Sequence, residues 1–416
     1  MPEILLVEDA KFFRTVLKSQ IEGRFGYTVV ACENYAEAVN ALISTEYNFS
    51  LALLDLNLPD APDGEVIDVV SGHGVPSIIF SGSFLEEIRD QLEKPNVIDY
   101  VVKDSPASLN YVVNTVDRFY RNHECKVLVV DDSKVAAKHM AKLLTQFNFD
   151  VIVAHNGQEA LKAYQANDDI RMVICDFNMP DMLGVEVCKR IRAKKSRDEI
   201  CFIGVSAYGT HAISAQFLKA GANDFLVKPF LTEEFFCRVT LNMDALDKVA
   251  ALDKLVHTDL VTQLQNRRFL EDKFKSFCKT ATTLNRKPVC AFFELDDFRN
   301  FNDEHGNDAG DAILFMIAEN LKKHFDDETH VIRYGGSQFC VLAMPQGIEN
   351  FVEILREAHQ DLSNQHFDID EKALNIGLTT IAAIATDGEF DNIITKAKEA
   401  IKNAKKNNYG SFFVAE

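Results

Sequence analysis

The sequence contains the same unit of about 120 residues twice. The segment ILLVEDAKFFRTVL (Ile4–Leu17) returns as VLVVDDSKVAAKHM (Val127–Met140). The segment LALLDLNLPDAPDGEV (Leu51–Val66) returns as MVICDFNMPDMLGVEV (Met172–Val187). Matching residues lie 123, 121 or 125 positions apart. The chain of 416 residues therefore begins with two copies of one domain, here called repeat 1 and repeat 2, and continues into a third region.

Short runs of Val, Ile and Leu alternate with segments of helical periodicity in each repeat. In repeat 1, strands are predicted near Ile4–Glu8, Thr28–Ala31, Leu51–Asp55, Ser77–Phe80 and Ile98–Val102. Runs that are apolar throughout indicate strands covered on both faces, as in a parallel sheet between helices. The predicted fold of both repeats is therefore α/β, a flavodoxin-like, doubly wound arrangement of five βα steps. In such folds, ligands bind at the carboxyl ends of the strands.

Five polar side chains stand at matching strand ends in the two repeats. They are Glu8, Asp9, Asp55, Ser81 and Lys103 in repeat 1, and Asp131, Asp132, Asp176, Ser206 and Lys228 in repeat 2. Three carboxylates brought together repel one another unless a cation lies between them. Ligands that are all oxygen favour Mg²⁺. With a hydroxyl and a lysine available to hold phosphoryl oxygens, the set predicts a carboxylate nucleophile that accepts a phosphoryl group beside Mg²⁺.

This arrangement resembles the receiver domain of two-component response regulators, and the resemblance extends over both repeats. It implies that Asp55 and Asp176 are the phosphoacceptors. The implied Mg²⁺ ligands are Glu8, Asp9, Asp55, Asp131, Asp132 and Asp176, with the backbone carbonyls of Asn57 and Asn178. The implied residues of the phosphoryl switch are Ser81, Lys103 and Tyr100 in repeat 1, and Ser206, Lys228 and Phe225 in repeat 2.

Some features of the repeats leave alternatives open. Tyr100 and Phe225 fit the aromatic switch position and equally fit plain core positions. Repeat 1 departs from the receiver pattern because Asp104 replaces the proline after the lysine, and because Ala61-Pro62 lengthens the loop after Asp55. Neither departure removes a group that the chemistry requires.

The third region follows a long helical segment. Apolar residues recur at spacings of three and four from Leu231 to His257, which predicts that the last helix of repeat 2 continues into a linker helix. The expected domains are residues 1–122, 123–240, the linker 241–257, and 258–416. Beyond the linker, helices are predicted at Arg268–Leu284, Asp311–Phe325, Ile348–Asn364 and Asp391–Lys406, and strands at Val289–Leu295, His330–Tyr334, Gln338–Met344 and Leu374–Ala385. This order favours an α+β domain with a largely antiparallel sheet.

Three segments of the third region resemble GGDEF domains, the diguanylate cyclases. They are HTDLVTQLQNRRFLED (His257–Asp272), FFELDDFRNFNDEHGNDAGDAIL (Phe292–Leu314) and RYGGSQF (Arg333–Phe339). The resemblance implies a nucleotidyl cyclase-like fold whose family condenses two GTP molecules into cyclic di-GMP at a dimer interface. That chemistry requires divalent cations to offset the triphosphate charge and activate the attacking oxygen.

The metal site implied by this resemblance lacks most of its acids. Its positions fall on Glu294, the carbonyl of Leu295, and Ser337, while the fourth signature acid is replaced by Gln338. The signature hairpin therefore contains no carboxylate and reads Gly335, Gly336, Ser337, Gln338 and Phe339. Losing one such ligand costs about 4 kcal/mol of transition-state stabilisation, or roughly 10³-fold in rate. We therefore expect a degenerate domain with little or no cyclase activity.

The nucleotide contacts implied by the resemblance are only partly present. Asn302 and Asp311 match the residues that hydrogen-bond guanine, although turn and helix-start roles would explain them as well. Lys405 matches a phosphate-contacting lysine, whereas Tyr409 stands where an arginine is expected. The stretch Asp326–Thr329 lacks the arginine of the product-inhibition motif, so we expect no cyclic di-GMP binding there.

The favoured hypothesis is a response regulator phosphorylated on its receiver aspartates, with a GGDEF output that acts by protein interaction or dimerisation. The expected partners are a sensor histidine kinase or histidine phosphotransfer protein, a downstream protein, and a second copy when phosphorylated. The expected cofactors are Mg²⁺ in the receivers and GTP bound without turnover in the last domain. One alternative is a phosphorylation-controlled diguanylate cyclase that uses Glu294, and another is a phosphorelay intermediate.

Composition excludes several other classes. The net charge of −19 argues against nonspecific nucleic-acid binding, which requires a basic surface. No apolar run approaches the length of a membrane span, and the first residues do not resemble a secretory signal. The nine cysteines form no CxxC pair and are expected to be reduced thiols. These features predict a cytoplasmic protein that does not contact membranes.

Overall fold

The computed structural model describes residues 3–82, 94, 96–207, 211–326, 328–369, 372–374, 376–384, 390–407 and 410–415. It contains two compact units, which comprise residues 1–250 and 251–416. The first unit holds repeats 1 and 2, and the second holds the third region. Each unit is described by itself.

Repeat 1 forms a parallel five-stranded sheet in the order β2-β1-β3-β4-β5. The strands are β1 (Glu3–Val7), β2 (Thr28–Cys32), β3 (Phe49–Leu54), β4 (Ser77–Ser81) and β5 (Val97–Val102). The helices among the described residues are α1 (Lys11–Phe25), α2 (Tyr35–Ile43), α3 (Glu65–Gly72) and α4 (Pro106–Arg121), and a short 3₁₀ turn follows at Asn122–Glu124. The helix α4 begins where its sequence favours a start, because Ser105 caps it and proline occupies its first position.

Repeat 2 repeats this topology, with a parallel sheet in the order β10-β9-β8-β6-β7. Its strands are β6 (Lys126–Val130), β7 (Asp150–Ala154), β8 (Ile170–Asp176), β9 (Cys201–Ser206) and β10 (Asp224–Val227). Its helices are α5 (Lys134–Gln146), α6 (Gly157–Ala166), α7 (Gly184–Arg192), α8 (His211–Lys219) and α9 (Thr232–His257). The predicted continuous helix after repeat 2 is thus present as α9.

Each of these sheets is covered on both faces, as the uniformly apolar strands predict. In β1, Ile4 and Leu6 enter one apolar cluster while Leu5 and Val7 enter another. The same alternation divides the residues of β6 between two clusters. Because both faces of the inner strands β1, β3, β6 and β8 are largely buried, the carboxyl ends of the strands are where polar groups collect.

The two repeats share one hydrophobic core, and each also has a separate core on the other face of its sheet. The cluster on one face of the first sheet continues without a break into repeat 2. Phe147 links the two repeats within this cluster, because its ring lies 6.3 Å from that of Phe119 in α4 and 5.0 Å from that of Phe236 in α9. Two asparagines reinforce the contact, since Asn122 donates to the carbonyl of Phe147 and Asn148 to that of Phe119.

A cluster of charged residues borders this shared core. The side chain of Arg118 in α4 is only 1% exposed, and its Nε lies 2.9 Å from Oδ1 of Asp244 in α9. Its Nη2 donates to Asp247, 2.6 Å away. Asp247 also accepts from Arg121 and Arg171, at 2.7 and 2.8 Å. The last helix of repeat 2 is therefore held by arginines of both repeats.

The second compact unit is an α+β domain built on a six-stranded mixed sheet in the order β11-β13-β14-β12-β17-β18. Its strands are β11 (Gln265–Asn266), β12 (Val289–Leu295), β13 (His330–Gly335), β14 (Gln338–Ala343), β15 (Phe367–Ile369), β16 (Lys372–Leu374), β17 (Leu378–Ile384) and β18 (Phe412–Ala415). Its helices are α10 (Arg267–Thr283), α11 (Phe298–His305), α12 (Asn307–His324), α13 (Ile348–Asn364) and α14 (Phe390–Asn407). The four central strands, β13, β14, β12 and β17, are antiparallel.

One predicted element of this domain is wrong. The single strand predicted at Leu374–Ala385 is two strands, because β16 pairs with β15 in a small hairpin and β17 enters the main sheet beside β12. Gly377 separates them, and its carbonyl accepts from the amide of Asp296 at 2.8 Å.

Among the described residues, no helix has the length and apolarity needed to cross a membrane.

Candidate functional site

In repeat 1, a buried lysine bridges two of the predicted acids. The Nζ atom of Lys103 lies 2.6 Å from a carboxylate oxygen of Glu8 and 2.6 Å from one of Asp55. Both acids are buried, whereas Asp9 beside them is exposed. One oxygen from each of the three acids lies within 4.8 Å of the other two. The structure therefore brings together four of the residues that the sequence singled out.

Burial destabilises the negative charge of the acidic site in repeat 1. It raises the pKa of Glu8 to about 7, against the opposing effect of the hydrogen bond from Lys103. Water solvates the charge of this carboxylate poorly. A cation in addition to Lys103 would therefore stabilise its ionised form. Three carboxylate oxygens at this spacing fit a hard divalent ion, so Glu8, Asp9 and Asp55 would hold Mg²⁺.

The lysine of repeat 1 also has aromatic neighbours. Lys103 Nζ lies 5.1 Å from the ring centre of Phe13 and 5.2 Å from that of Phe80. These rings stabilise the ammonium group by cation–π attraction and keep water from its apolar stem. The corresponding positions of repeat 2 hold Ala136 and Val205, so the two lysines have different surroundings.

In repeat 2, the lysine again bridges two acids. Lys228 donates to Asp131 and lies 2.6 Å from Asp176. Burial raises the pKa of Asp176 despite these contacts with Lys228. Asp132 is exposed, and among the described residues only the acids of repeat 1 form a compact group of three. Lys228 thus brings Asp131 and Asp176 together, but the three acids of repeat 2 are not within the spacing seen in repeat 1.

The loops after the phosphoacceptor positions fold back onto them. The amide of Asn57 donates to Asp55 at 3.3 Å, and the amide of Asn178 donates to Asp176 at 2.8 Å. These contacts keep each asparagine backbone beside the acid, where its carbonyl is expected to serve the metal. In repeat 2, Gly184 is required, because a Cβ there would lie 2.1 Å from the carbonyl oxygen of Asp176.

The switch residues lie at the same strand ends. Ser81 and Ser206 are both buried, and the hydroxyl of Ser81 has no hydrogen-bond partner among the described residues. A buried hydroxyl in this condition is available to an incoming oxygen. Tyr100 is buried in the apolar cluster on one face of repeat 1, and Phe225 is partly buried. Tyr100 thus lies in the core and Phe225 packs against it, and the switch role of both residues stays a prediction.

The Mg²⁺ affinity of repeat 1 is expected to increase between pH 6 and pH 8. Because the pKa of Glu8 is about 7, this carboxyl group carries a proton below neutrality that Mg²⁺ must displace, and it is ionised above. Competition by one proton gives about a tenfold increase in affinity over this range. The Mg²⁺ dependence of the unfolding temperature at several pH values measures it. The Glu8→Gln variant should lose the pH dependence, and an affinity that is constant with pH in the natural chain would contradict the prediction.

In the second unit, a hydrogen bond joins Glu294 to Gln338. The two residues are opposite each other on β12 and β14, and the Gln338 amide donates to the Glu294 carboxylate at 2.8 Å. The carbonyl of Ser337 accepts from the amide of Leu295 at 3.0 Å. The hairpin thus directs an amide group, rather than a second carboxylate, toward the only acid left in the predicted metal positions.

Sequence reasoning assigned no role to Arg333, which shapes this hairpin. Arg333 is buried, donates to the carbonyls of Gly336 and Gln338, and lies with its guanidinium 4.8 Å from the ring centre of Phe339. Gly335 and Gly336 have φ of +129° and +56°, which other residues adopt only with strain. The arginine shortly before the two glycines is the signal that could have indicated this role.

The predicted guanine-binding residues lie on neighbouring helices. Asn302 belongs to α11 and Asp311 to α12. The side-chain oxygen of Asn302 is buried and has no hydrogen-bond partner among the residues that the structure describes, and it lies over Gly310, where a Cβ would approach it to 2.0 Å. Lys405 lies in α14, but its side chain and Tyr409 are outside the described residues.

The acidic stretch predicted to exclude cyclic di-GMP has an arginine nearby. Asp326 and Glu328 are exposed, and Asp327 lies outside the described residues. Arg286, which follows α10, pairs with Glu328 at 3.8 Å. The stretch lacks an arginine in its own sequence but receives one from another segment, and that arginine is already paired with an acid.

Comparison with known families decides what these two units are. Residues 4–114 and 127–240 match the response regulator receiver domain family, and together they make up more than half of the chain. The chain belongs to the response regulator receiver family. Repeats 1 and 2 are therefore its first and second receivers. Residues 256–411 match the diguanylate cyclase GGDEF domain family, so the third region of this response regulator is a GGDEF domain.

Individual relatives support the same organisation. A stretch of 106 residues, which is 25% of this chain and 82% of the relative, is 40% identical to a CheY chemotaxis protein homologue of Campylobacter jejuni. The response regulator PleD of Caulobacter vibrioides is 25% identical over 293 residues, which is 67% of this chain and 63% of PleD. A solved two-component response regulator/GGDEF domain protein is 36% identical with a TM-score of 0.53, over 59% of this chain and all of its own. The architecture is thus similar to that of PleD.

Proposed function

We propose that Asp55 and Asp176 accept phosphoryl groups from a histidine kinase or a histidine phosphotransfer protein. The resulting change passes through α9 to a GGDEF domain that does not make cyclic di-GMP and acts by protein interaction or dimerisation. The observation that carries the proposal is the hydrogen bond from Gln338 to Glu294 in place of a carboxylate pair. Receiver domains are partners of phosphodonors, which supports the first part of the proposal.

The lysine bridges support phosphorylation of both receivers. Lys103 and Lys228 each hold their phosphoacceptor with an ammonium group that lies within hydrogen-bonding distance. When a phosphoryl group is added, its oxygens can take over these contacts, because they carry more charge than the carboxylate. Mg²⁺, when bound by the acids, would offset the charge of the incoming phosphoryl group. The nucleophile in each case is a carboxylate oxygen of the aspartate.

The absence of acids in the signature hairpin supports a non-catalytic output. A cyclase must gather two divalent ions and a triphosphate, which carry large opposite charges that carboxylates balance. Here Glu294 is the one carboxylate in the set, and the Gln338 amide already occupies one of its oxygens. An amide donor is attracted to a carboxylate but repels a cation. The hydrogen bond from Gln338 therefore supports a site that holds no divalent ion.

The alternative function is a phosphorylation-controlled diguanylate cyclase with an unusual metal shell. The observation that favours it is the intact hairpin shape, which Arg333 and the two glycines maintain. The shape alone supplies no charge for Mg²⁺. We therefore place this function second.

We further propose that the GGDEF domain binds GTP without turnover. The buried oxygen of Asn302 has no partner within the described part of the domain, and it is suited to accept a hydrogen bond from an amino or imino group of guanine. Asp311, which is exposed at the adjacent helix, can accept a second one. Binding through the base does not require the missing carboxylates.

Gly310→Ala is expected to weaken GTP binding by roughly fivefold or more. The new Cβ would lie 2.0 Å from the Asn302 side-chain oxygen, which must then move. Loss of one good hydrogen bond to a buried base is worth about 1–3 kcal/mol. Isothermal titration of the full chain with GTP measures the change. Gly347→Ala is the matched control, since no atom lies within 4 Å of the point where its Cβ would stand; equal affinities in the two variants would contradict base recognition by Asn302.

The experiment that tests the proposed function uses a small phosphodonor. The full chain is incubated with acetyl phosphate and Mg²⁺, and peptide masses report phosphorylation of Asp55 and Asp176 separately, while light scattering reports the oligomeric state. We expect both peptides to gain a phosphoryl group and the mass distribution to shift toward a dimer. Asp55→Asn and Asp176→Asn should each abolish one modification and leave the other. An unmodified chain, or modification without any change of state or partner binding, would overturn the proposal.

A further inference from the structure

An aspartate in each receiver ties the loop after the phosphoacceptor to a helix that comes earlier in the chain. In the first receiver, the carboxylate of Asp60 accepts from the amides of Tyr35 and Ala36, at 2.9 and 3.0 Å. These are the first two amides of α2. The contact joins the loop that follows β3 to the helix that precedes this strand.

The second receiver contains the same contact. The carboxylate of Asp181 accepts from the amides of Gly157 and Gln158, at 3.0 and 2.8 Å, at the start of α6. The pKa values of Asp60 and Asp181 are both lowered. For Asp60 the hydrogen bond from the amide of Tyr35 is the main cause. For Asp181 burial opposes the lowering of the pKa, and the hydrogen bonds from several backbone amides, led by those of Gly157 and Gln158, together outweigh it. Both aspartates are therefore ionised at neutral pH. The pair of hydrogen bonds that each aspartate accepts from the start of the helix is here called the clamp.

These helix starts already have local caps. The side chain of Asn34 accepts from the amide of Glu37, and that of Asn156 accepts from the amide of Glu159, each at 2.9 Å. An asparagine cap is sufficient to begin a helix. The aspartates from the distant loop therefore add a connection between two segments beyond what helix initiation requires.

The spacing between phosphoacceptor and clamp is the same in both receivers. Asp60 follows Asp55 by five positions, and Asp181 follows Asp176 by five. The first receiver has two more residues than the second between its phosphoacceptor and the next helix, because α3 begins at Glu65 and α7 begins at Gly184, and this difference lies after the clamp. Length is thus kept where the loop carries Asn57 or Asn178, and it varies where the loop only leads to the next helix.

The helix that receives the clamp is itself fixed. In the first receiver, Ala38 and Ala41 of α2 are buried in the cluster that also contains Leu56 and Leu58 of the loop. The loop backbone closes on itself between Leu58 and Ala61, whose amides and carbonyls exchange hydrogen bonds at 3.2 and 3.3 Å. Asp60 lies inside this small turn. The clamp therefore connects a short, defined turn to a rigid support.

We propose that Asp60 and Asp181 are positioning residues for Mg²⁺. Each fixes the loop so that the carbonyl of Asn57 or Asn178 stays beside the acids before the metal arrives. This inference rests on the proposed phosphorylation of Asp55 and Asp176, which requires that metal. Neither aspartate touches the metal or the phosphoryl group; each acts through the backbone of its loop.

The size of the expected change in Mg²⁺ affinity follows from the role of Asp60 and Asp181 in orienting a metal ligand. Residues that orient metal ligands typically change metal affinity 10- to 100-fold when they are removed. Asp60→Ala should therefore weaken Mg²⁺ binding in the first receiver by roughly 10-fold or more. Asp181→Ala should do the same in the second receiver only. Asp60→Asn keeps a side-chain oxygen acceptor at the same position and should restore part of the affinity.

The test uses the full chain and the other receiver as an internal control. The Mg²⁺ concentration that gives half-maximal acetyl phosphate labelling is measured for the Asp55 and Asp176 peptides of the same sample. In Asp60→Ala, the value for Asp55 should rise about tenfold while that for Asp176 stays within about twofold, and labelling at saturating Mg²⁺ should recover. A purely structural role would instead lower the maximum labelling without changing the Mg²⁺ dependence, and this result would overturn the inference.

A second readout keeps the inference testable without phosphorylation. The increase of the unfolding temperature with Mg²⁺ is measured for Asp60→Ala, Asp60→Asn and the natural chain, each carrying Asp176→Asn to remove most of the second site. Stabilisation should require about tenfold more Mg²⁺ in Asp60→Ala and less in Asp60→Asn. If the natural chain is not labelled, the proposed function fails. This readout then still tests whether Asp60 positions its loop for Mg²⁺. Equal Mg²⁺ dependence in all three chains would overturn the inference.

Discussion

Arg118→Ala is expected to lower the free energy of unfolding of the two-receiver unit by about 3 kcal/mol. The side chain is 1% exposed and its guanidinium contacts both Asp244 and Asp247. Removing one partner of a buried ion pair leaves the other without compensation and costs about 3–5 kcal/mol. The lower end applies because the two aspartates are partly exposed and Asp247 keeps Arg121 and Arg171. Urea unfolding of the full chain measures the change.

Arg238→Ala is the matched control for this experiment. Arg238 also pairs with two acids, Asp224 and Glu234, but its side chain is 38% exposed. Exposed pairs contribute about 0–1 kcal/mol because water solvates the separated charges well. If both variants lose the same small amount of stability, the charged cluster does not hold the receivers together.

Arg118 connects the two receivers, so its contacts bear on how a change in one receiver affects the other. It lies in the last helix of the first receiver, and its partners lie in the helix that continues from the second receiver toward the GGDEF domain. The receivers also share the hydrophobic core that contains Phe147. A change in either receiver must therefore be accommodated by the other, since packed interfaces of this kind do not deform continuously.

Restoring the acids of the signature hairpin is expected to raise cyclic dinucleotide formation roughly 10³-fold above that of the natural chain. The variant combines Glu294→Asp, Ser337→Asp and Gln338→Glu. It removes the amide that occupies Glu294 and supplies the carboxylates that divalent ions require. Chromatography of products from GTP with Mg²⁺ or Mn²⁺ measures the rate.

The control for the restored chain is the same variant with Gly310→Ala. This change disturbs Asn302 without touching the acids, so it should remove most of the regained rate if GTP is held through its base. A restored variant as inactive as the natural chain would show that the missing acids are not what limits the reaction.

Much of the receiver site follows from the sequence, because strand ends of a parallel sheet converge. The acids and lysines that precede or follow the apolar runs meet at one edge, so Glu8, Asp55 and Lys103 are found together. Repetition of the pattern made the argument stronger than a single copy would. The entire strand Val289–Leu295 and helix Ile348–Asn364 were likewise predictable from their apolar periodicity.

Other features depend on contacts between segments far apart in the chain. Nothing near Arg118 in the sequence indicates that acids 126 and 129 positions later would cover it. The break between β16 and β17 depends on which neighbour each strand finds, and an apolar run alone does not encode that. The sequence identified Gln338 as a lost acid, but only the pairing of β12 with β14 places its amide on Glu294.

The measurement that tests the account most directly is a cyclic dinucleotide assay of the natural chain. Purified protein is incubated with GTP and Mg²⁺ or Mn²⁺, with and without acetyl phosphate, and mass spectrometry verifies phosphorylation of Asp55 and Asp176 in the same samples. The account predicts labelled receivers, bound GTP and no product above background. Product that increases with phosphorylation would contradict it and make this response regulator a diguanylate cyclase despite Ser337 and Gln338.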